Sequence, residues 1–195
     1  MFGFCGEIVL FKSVGLFNVI EQPKYHPRNI VKNFLFVGRL IPVKNLEWLI
    51  NRFENHPELN LTIVGFGELE EMIRQKIRTS NNIKLVGAVK NIELPFYYQQ
   101  ADVFILPSIT ETWGLVIEEA LNNGTPIMCS HMVGSADDLV VKLKTGVTFE
   151  LDNIQDFEQK LVEICNPNIY NEMRKHISLL DFNERERQVV DSFKK

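Results

Sequence analysis

The chain is poor in cysteine, in clustered histidine, in basic runs and in long apolar stretches, and each shortage removes a class of protein. Only Cys5, Cys129 and Cys165 occur in 195 residues, with no C-x-x-C pair. That odd, unpaired set excludes a disulfide framework and a structural zinc spacing, and it fits a reducing cytosol. His26, His56, His131 and His176 are scattered, so no metal site is expected. Ser130-His131 is not embedded in a G-x-S-x-G elbow, which argues against a serine nucleophile. The formal net charge is -4, with no run of Lys and Arg, and the pI is near 5.6. Nucleic acid is therefore not an expected partner. The apolar first twenty residues are interrupted by Glu7 and Lys12 and lack a basic leader or cleavage site. Nothing approaches the roughly 20 uninterrupted apolar residues of a spanning helix. The expected location is the cytoplasm, with any membrane contact peripheral and at the inner face.

What is present is a core. The apolar fraction of 45% in 195 residues is enough for one ordinary domain. From Asn33 onward, short apolar runs at 34–37, 59–64, 83–86, 103–106 and 126–129 read as buried strands. Between them, 45–53, 68–78, 94–99 and 115–122 carry apolar residues three and four apart, as in Leu46, Leu49, Ile50 and Phe53. This alternation predicts an α/β fold, a doubly wound, Rossmann-like parallel sheet flanked by helices. After Gly146 strand signals fade, and 154–164, 170–180 and 184–193 read as C-terminal helices packing on the sheet edge. Pro23 and Pro27 break the segment 22–28 into a connector. A boundary is expected near Ile30, with the main domain over 31–180 and a last helix over 181–195.

Ligands of open parallel sheets bind beyond the carboxyl ends of the strands, where helix N-termini offer free N–H groups. The first such turn, Gly38-Arg39-Leu40-Ile41-Pro42-Val43-Lys44-Asn45, brings a glycine and two cations to a helix entrance. It suits a diphosphate, since Arg offers a fork and Lys a mobile charge; two solvated loop cations are the plainer reading. The second, Val64-Gly65-Phe66-Gly67-Glu68-Leu69-Glu70, lacks the third glycine of a dinucleotide fingerprint, and no acidic residue follows the next strand at Val86-Gly87-Ala88-Val89. Two glycines making a tight turn are the better reading there. The fourth turn holds Glu111 in a loop and Glu119 early in a helix, with Gly114 between them. Carboxylates so placed accept hydrogen bonds from vicinal hydroxyls, or merely complement the helix dipole. Glu118, about 100° round the helix from Glu119, is expected to do only the latter. Phe96, Tyr97, Tyr98, Trp48 and Phe53 read as packing.

Together these residues resemble the C-terminal domain of family 4 glycosyltransferases, which have the two-domain GT-B fold, over residues 15–195. The family's Gly-Arg-Leu followed by Lys is matched by Gly38, Arg39, Leu40 and Lys44. Its E-G-F-G-L-P-x-x-E-A is matched by Glu111, Trp113, Gly114, Leu115, Glu119 and Ala120, with Ala101-Asp102-Val103 leading into Leu106-Pro107-Ser108 between the two motifs. The resemblance implies that Arg39 and Lys44 hold the diphosphate of a nucleotide sugar, Glu119 the ribose hydroxyls and Glu111 the donor sugar. Backbone N–H groups of Gly114 and Leu115 would meet the distal phosphate, and the loop ending at Val89 would border the base. Glu111, Arg39 and Lys44 are the expected catalytic group, assisting retaining transfer from a UDP- or GDP-sugar with no cofactor and no obligatory metal; no Asp-x-Asp motif occurs.

The family's G-G-x-x-E appears here as Gly134-Ser135-Ala136-Asp137-Asp138, a departure. Residues 1–30, with Val14-Gly15-Leu16-Phe17-Asn18, resemble only the tail of an N-terminal domain and its hinge. The acceptor, a glycan or lipid-linked saccharide in surface polysaccharide synthesis, would sit on that missing domain. Donor binding without appreciable transfer is the expectation for the isolated chain. The rival expectations are a catalytically idle nucleotide-binding or scaffold module needing a partner chain, and an epimerase or phosphorylase on the same fold.

Overall fold

A computed structural model describes residues 25–182 and Glu184. The expected hinge remnant up to residue 24, and all of the expected last helix except residues 181, 182 and 184, lie outside these residues. Six strands, β1 (Asn33–Val37), β2 (Asn60–Val64), β3 (Ile83–Gly87), β4 (Val103–Leu106), β5 (Ile127–Ser130) and β6 (Gly146–Phe149), form one parallel sheet in the order β3-β2-β1-β4-β5-β6. Six α-helices accompany them: α1 (Leu46–Glu54), α2 (Glu70–Lys76), α3 (Leu94–Gln100), α4 (Leu115–Asn122), α5 (Ile154–Cys165) and α6 (Pro167–Ser178). This is the Rossmann-like arrangement that the alternation of patterns predicts.

The sixth strand corrects the expectation that strands end before Gly146. Its burial alternates between half-buried and buried residues, as suits a strand at the sheet edge, whereas all four residues of β4 and of β5 are buried. Four residues, two of them half-exposed, leave too short an apolar run to register as a strand. Phe149 within β6 nonetheless anchors the edge: Trp48 of α1 stacks on it at 5.7 Å, and Phe157 of α5 meets it edge-on at 5.1 Å. The helix expected over 68–78 is also shorter, with α2 giving way to a 3-10 turn at Ile77–Thr79.

Helix ends follow local chemistry. Asn166 accepts from the N–H groups of Asn168 and Ile169 while Pro167 opens α6, and Asn153 accepts from Asp156 N–H at the start of α5. At the amino edge of the sheet, Asp102 is 2% exposed. Its Oδ2 accepts from the backbone N–H groups of Lys32 and Asn33 and from Asn33 Nδ2, and its Oδ1 pairs with Arg28. This one carboxylate fastens the start of β4 to the start of β1. Arg28 and Asn171 of α6 also exchange two 2.9 Å hydrogen bonds between backbone and amide.

Strand order reverses between β1 and β4, which makes that gap the topological switch point. The register of β1 with β2 runs from Asn33↔Asn60 to Val37↔Val64, but that of β1 with β4 comprises only Phe34↔Val103 and Leu35↔Phe104. Beyond Leu35 and Phe104 the pairing of the two strands ends, on the carboxyl side where a sheet of this order places its ligand crevice.

Candidate functional site

The loop after β1 is held from below by the loop after β2. Leu40, fully buried, donates its N–H to Phe66 O at 2.8 Å and accepts from Leu69 N–H, while Gly38 N–H donates to Val64 O. The contact is so close that a Cβ on Gly65 would lie 1.8 Å from Gly38 O, and one on Gly67 2.5 Å from Leu40 O. The two glycines therefore make a tight turn, as expected, and also a bracket for the loop carrying Arg39. Arg39 is exposed and has no ion-pair or hydrogen-bond partner among the described residues. A 3-10 turn, Pro42–Lys44, follows, and Asn45, at φ 56°, turns the chain into α1. Asn is among the few residues that tolerate this left-handed conformation. Lys44 is thereby directed across the crevice.

On the far wall, the loop after β4 leans on the loop after β5. Glu111 forms an isolated bridge with Val133, Gly134 N–H donates to Glu111 O at 2.8 Å, and Ser135 N–H donates to Trp113 O. Gly134 is required here, since a Cβ would sit 2.0 Å from Thr112 O. The departure from the family's glycine-rich pattern leads into a six-residue π-helix, Ala136–Val141. Gly114, at φ 87°, stands before the first residue of α4, with Leu115 partly exposed beside it.

The two walls meet twice. Ile109 N–H donates to Val43 O at 2.9 Å, and Lys44 Nζ forms an ion pair with Glu111 Oε2, both side chains being mostly covered. The structure thus brings Lys44 and Glu111 into direct contact, with Arg39 on the same loop as Lys44. Glu119 lies one helical turn further along α4, half-buried, accepting from the Tyr98 hydroxyl at 2.8 Å. Val89 follows β3, the edge strand, two strands removed from the switch point.

Glu118 and Tyr98 each do more than their sequence-based expectation, whereas Phe96, expected to pack, is exposed. Glu118 is 3% exposed and accepts from the indole Nε1 of Trp113 at 3.2 Å; besides standing in the first turn of α4 it anchors the motif's aromatic ring, so it does more than complement the helix dipole. Tyr98 is buried as expected of a packing residue, but its hydroxyl is spent on Glu119. A tyrosine on an apolar helix face carries no signal of its own for such a bond. The one available clue was that a buried phenol needs a partner.

Burial raises the Glu119 carboxyl above its ordinary range, against the opposing effect of the Tyr98 hydrogen bond. The Tyr98 phenol is raised well above its own range, first by burial and then by the Glu119 charge, so it remains the donor. With its folded-state pKa raised, the ionised Glu119 destabilises the fold above that pKa, and the penalty vanishes as pH falls below the unfolded value. Glu119→Gln is accordingly expected to raise Tm at neutral pH by about 2 °C, with the gain fading toward pH 4 in a thermal-melt series. A gain that persists unchanged at low pH would contradict this origin. Nearby, burial pushes the Cys129 thiol up to about 12, leaving it an inert thiol. Ser130 Oγ donates to Ser108 O at 2.6 Å, so it is committed to structure.

The sequence profile of "Glycosyl transferases group 1" matches residues 21–178. Among curated relatives, the chain is 26% identical over 94% of its length to an uncharacterized glycosyltransferase of Haemophilus influenzae, covering 55% of that protein. It is 33% identical over 73% of its length to the UDP-Gal:alpha-D-GlcNAc-diphosphoundecaprenol alpha-1,3-galactosyltransferase of Escherichia coli, covering 39% of it. Among solved structures, TarM of S. aureus in complex with UDP superposes with a TM-score of 0.70 at 19% identity, over 91% of this chain and 38% of that one. HepE of Anabaena in complex with UDP and glucose gives 0.66 at 19% identity, over 85% and 48%. The chain thus spans about half, or less, of the length of these proteins, and the structural likeness shows a shared fold.

Proposed function

Because the chain belongs to the glycosyl transferases group 1 family, we propose that residues 31–180 form the donor half of a retaining, family 4 type glycosyltransferase of GT-B architecture, taking a UDP- or GDP-sugar. The observation that carries this is the pairing of Lys44 with Glu111 across the β1/β4 crevice, with the Arg39 side chain on the same loop unpartnered among the described residues. A cation facing a carboxylate at a switch point suits a ligand with a diphosphate at one end and hydroxyls at the other. UDP in the HepE complex and the UDP-Gal of the Escherichia coli galactosyltransferase are of that class.

In this reading Arg39 and Lys44 engage the diphosphate, and Gly114 and Leu115 offer N–H groups at the start of α4. Glu111 meets the sugar, Glu119 the ribose, and the loop at Val89 the base. The bond from the anomeric carbon to the distal phosphate oxygen breaks, and its electron pair leaves on the diphosphate. The acceptor oxygen bonds to the same face and yields its proton to the departing oxygen. Arg39 and Lys44 stabilise the charge that gathers on the leaving group, without an obligatory metal. The acceptor, a glycan or lipid-linked saccharide of surface polysaccharide synthesis, would be held by a further domain on the cytoplasmic side of the membrane. The exposed Phe66, Ile109 and Met132 on the loops around the crevice suit such a covering domain. For these 195 residues alone, donor binding without appreciable transfer is the consequence.

Calorimetric titration with UDP, GDP and ADP and with their glucose esters tests the reading. Saturable binding of at least one is expected, weakened about 10-fold or more by Arg39→Ala, the usual loss for a charge-assisted contact. No saturable binding, or binding indifferent to Arg39→Ala, would overturn it.

A further inference from the structure

We infer that Tyr98 is the positioning residue that lets Glu119 distinguish a ribonucleotide from a 2′-deoxyribonucleotide; this rests on the reading of Glu119 as the ribose contact.

Glu119 is a half-buried carboxylate whose side chain has one hydrogen-bond partner among the described residues, the hydroxyl of Tyr98, and no cation. A desolvated acid without a cation is a poor packing choice. Its remaining acceptor capacity, all of Oε1 and part of Oε2, is free for a ligand that brings O–H groups. A ribose brings two, on adjacent carbons. For the carboxylate to read both hydroxyls it must hold one orientation, and its own side-chain torsions do not supply that.

Tyr98 supplies it. The ring is 1% exposed and tilted against Phe104 at a centroid distance of 5.8 Å. Its carbonyl accepts from Thr125 Oγ at 2.8 Å within the buried connection between α4 and β5. The phenol is thus a fixed point, held from α3 and from the segment that follows α4. Its single donor pins one oxygen of Glu119 and leaves the other without a partner among the described residues. Removing the hydroxyl releases the carboxylate and leaves the packing of the ring intact.

The test compares the wild type, Tyr98→Phe and Glu119→Gln by calorimetric titration, using the best-binding diphosphate of the UDP, GDP and ADP panel and its 2′-deoxy counterpart. A site built to bond a hydroxyl rejects the analogue that lacks it, so the wild type should prefer the ribose form by about 10-fold or more. Glu119→Gln should lose most of that preference. Tyr98→Phe should lower it about 3- to 10-fold, with a smaller loss for the 2′-deoxy form, which keeps only the 3′-hydroxyl contact, while a thermal melt close to that of the wild type certifies that the variant is folded. Preference present in the wild type, lost in Glu119→Gln and kept in Tyr98→Phe overturns the role of Tyr98 alone. Absence of nucleotide binding by the wild type overturns the donor-site reading and the Tyr98 role with it, and a Tyr98→Phe variant that loses both ligands equally assigns Tyr98 to the fold and not to positioning.

Discussion

Alanine at position 65 is expected to destabilise the protein by about 4 kcal/mol and to abolish nucleotide binding. Gly65 sits at φ +145°, and the atom its new Cβ would meet at 1.8 Å is the carbonyl oxygen of Gly38, which is backbone and has no rotamer to retreat into. Either the two loops separate or the strand ends shift. Separation forfeits the hydrogen bonds from Gly38 N–H to Val64 O and from Leu40 N–H to Phe66 O, and it releases the buried Leu40 that fixes the loop of Arg39. A denaturant titration of Gly65→Ala beside Phe66→Ala checks this. The second variant removes an exposed ring from the same turn and should stay within about 0.5 kcal/mol of the wild type. A loss below about 1 kcal/mol for Gly65→Ala would mean that the turn has room to move, and the bracket would cease to explain the placement of Arg39.

Lys44→Ala and Glu111→Gln should move diphosphate affinity in opposite directions. The two side chains form an ion pair across the crevice, so an arriving diphosphate competes with Glu111 for the same ammonium and also approaches the Glu111 charge. Removing Lys44 deletes a charge-assisted contact and should weaken UDP or GDP binding about 10- to 100-fold. Neutralising Glu111 frees Lys44 and should tighten binding of the free diphosphate, by about 10-fold at low salt and less at high salt because screening reaches this partly open pair. The nucleotide sugar should gain less if Glu111 also meets the sugar, as proposed. Titration at two ionic strengths with the diphosphate and with its glucose ester separates the effects. Weaker diphosphate binding by Glu111→Gln would show that the pair does not compete with ligand.

How much of this was legible beforehand depended on how far each feature is written in local pattern. The four inner strands were legible because burial on both faces makes them largely apolar, the edge strand β3 because Ile83, Leu85 and Val86 leave only Lys84 to interrupt its run, and α1 because Leu46, Leu49, Ile50 and Phe53 mark one helical stripe. β6 was not, since Gly146 and Thr148 interrupt its apolar residues and its identity comes from Phe149 meeting Trp48 and Phe157, residues distant in sequence. At the site, the residue types and spacing at Arg39, Lys44, Glu111 and Glu119 were visible, but the direct contact of Lys44 with Glu111 required the strand order. Glu118 was misjudged because helix phase places it relative to Glu119 yet says nothing of the loop that folds Trp113 back over it. Tyr98 was rightly read as packing, but its bond to Glu119 was not legible because that partner lies 21 residues away on another helix.

The pattern of hydrogen bonds among the four loops has a mechanical meaning. The loops after β1 and β2 are knitted into one unit, those after β4 and β5 into another, while a single backbone bond from Ile109 to Val43 and the Lys44–Glu111 pair stitch the two units together. Beneath that stitch the pairing of the strands has already ended, past Leu35 and Phe104. Among the described residues the fastenings are thus dense within each jaw and sparse along the line where they meet. A molecule that grips both jaws acts as a clasp, and its departure returns the seam to two fastenings.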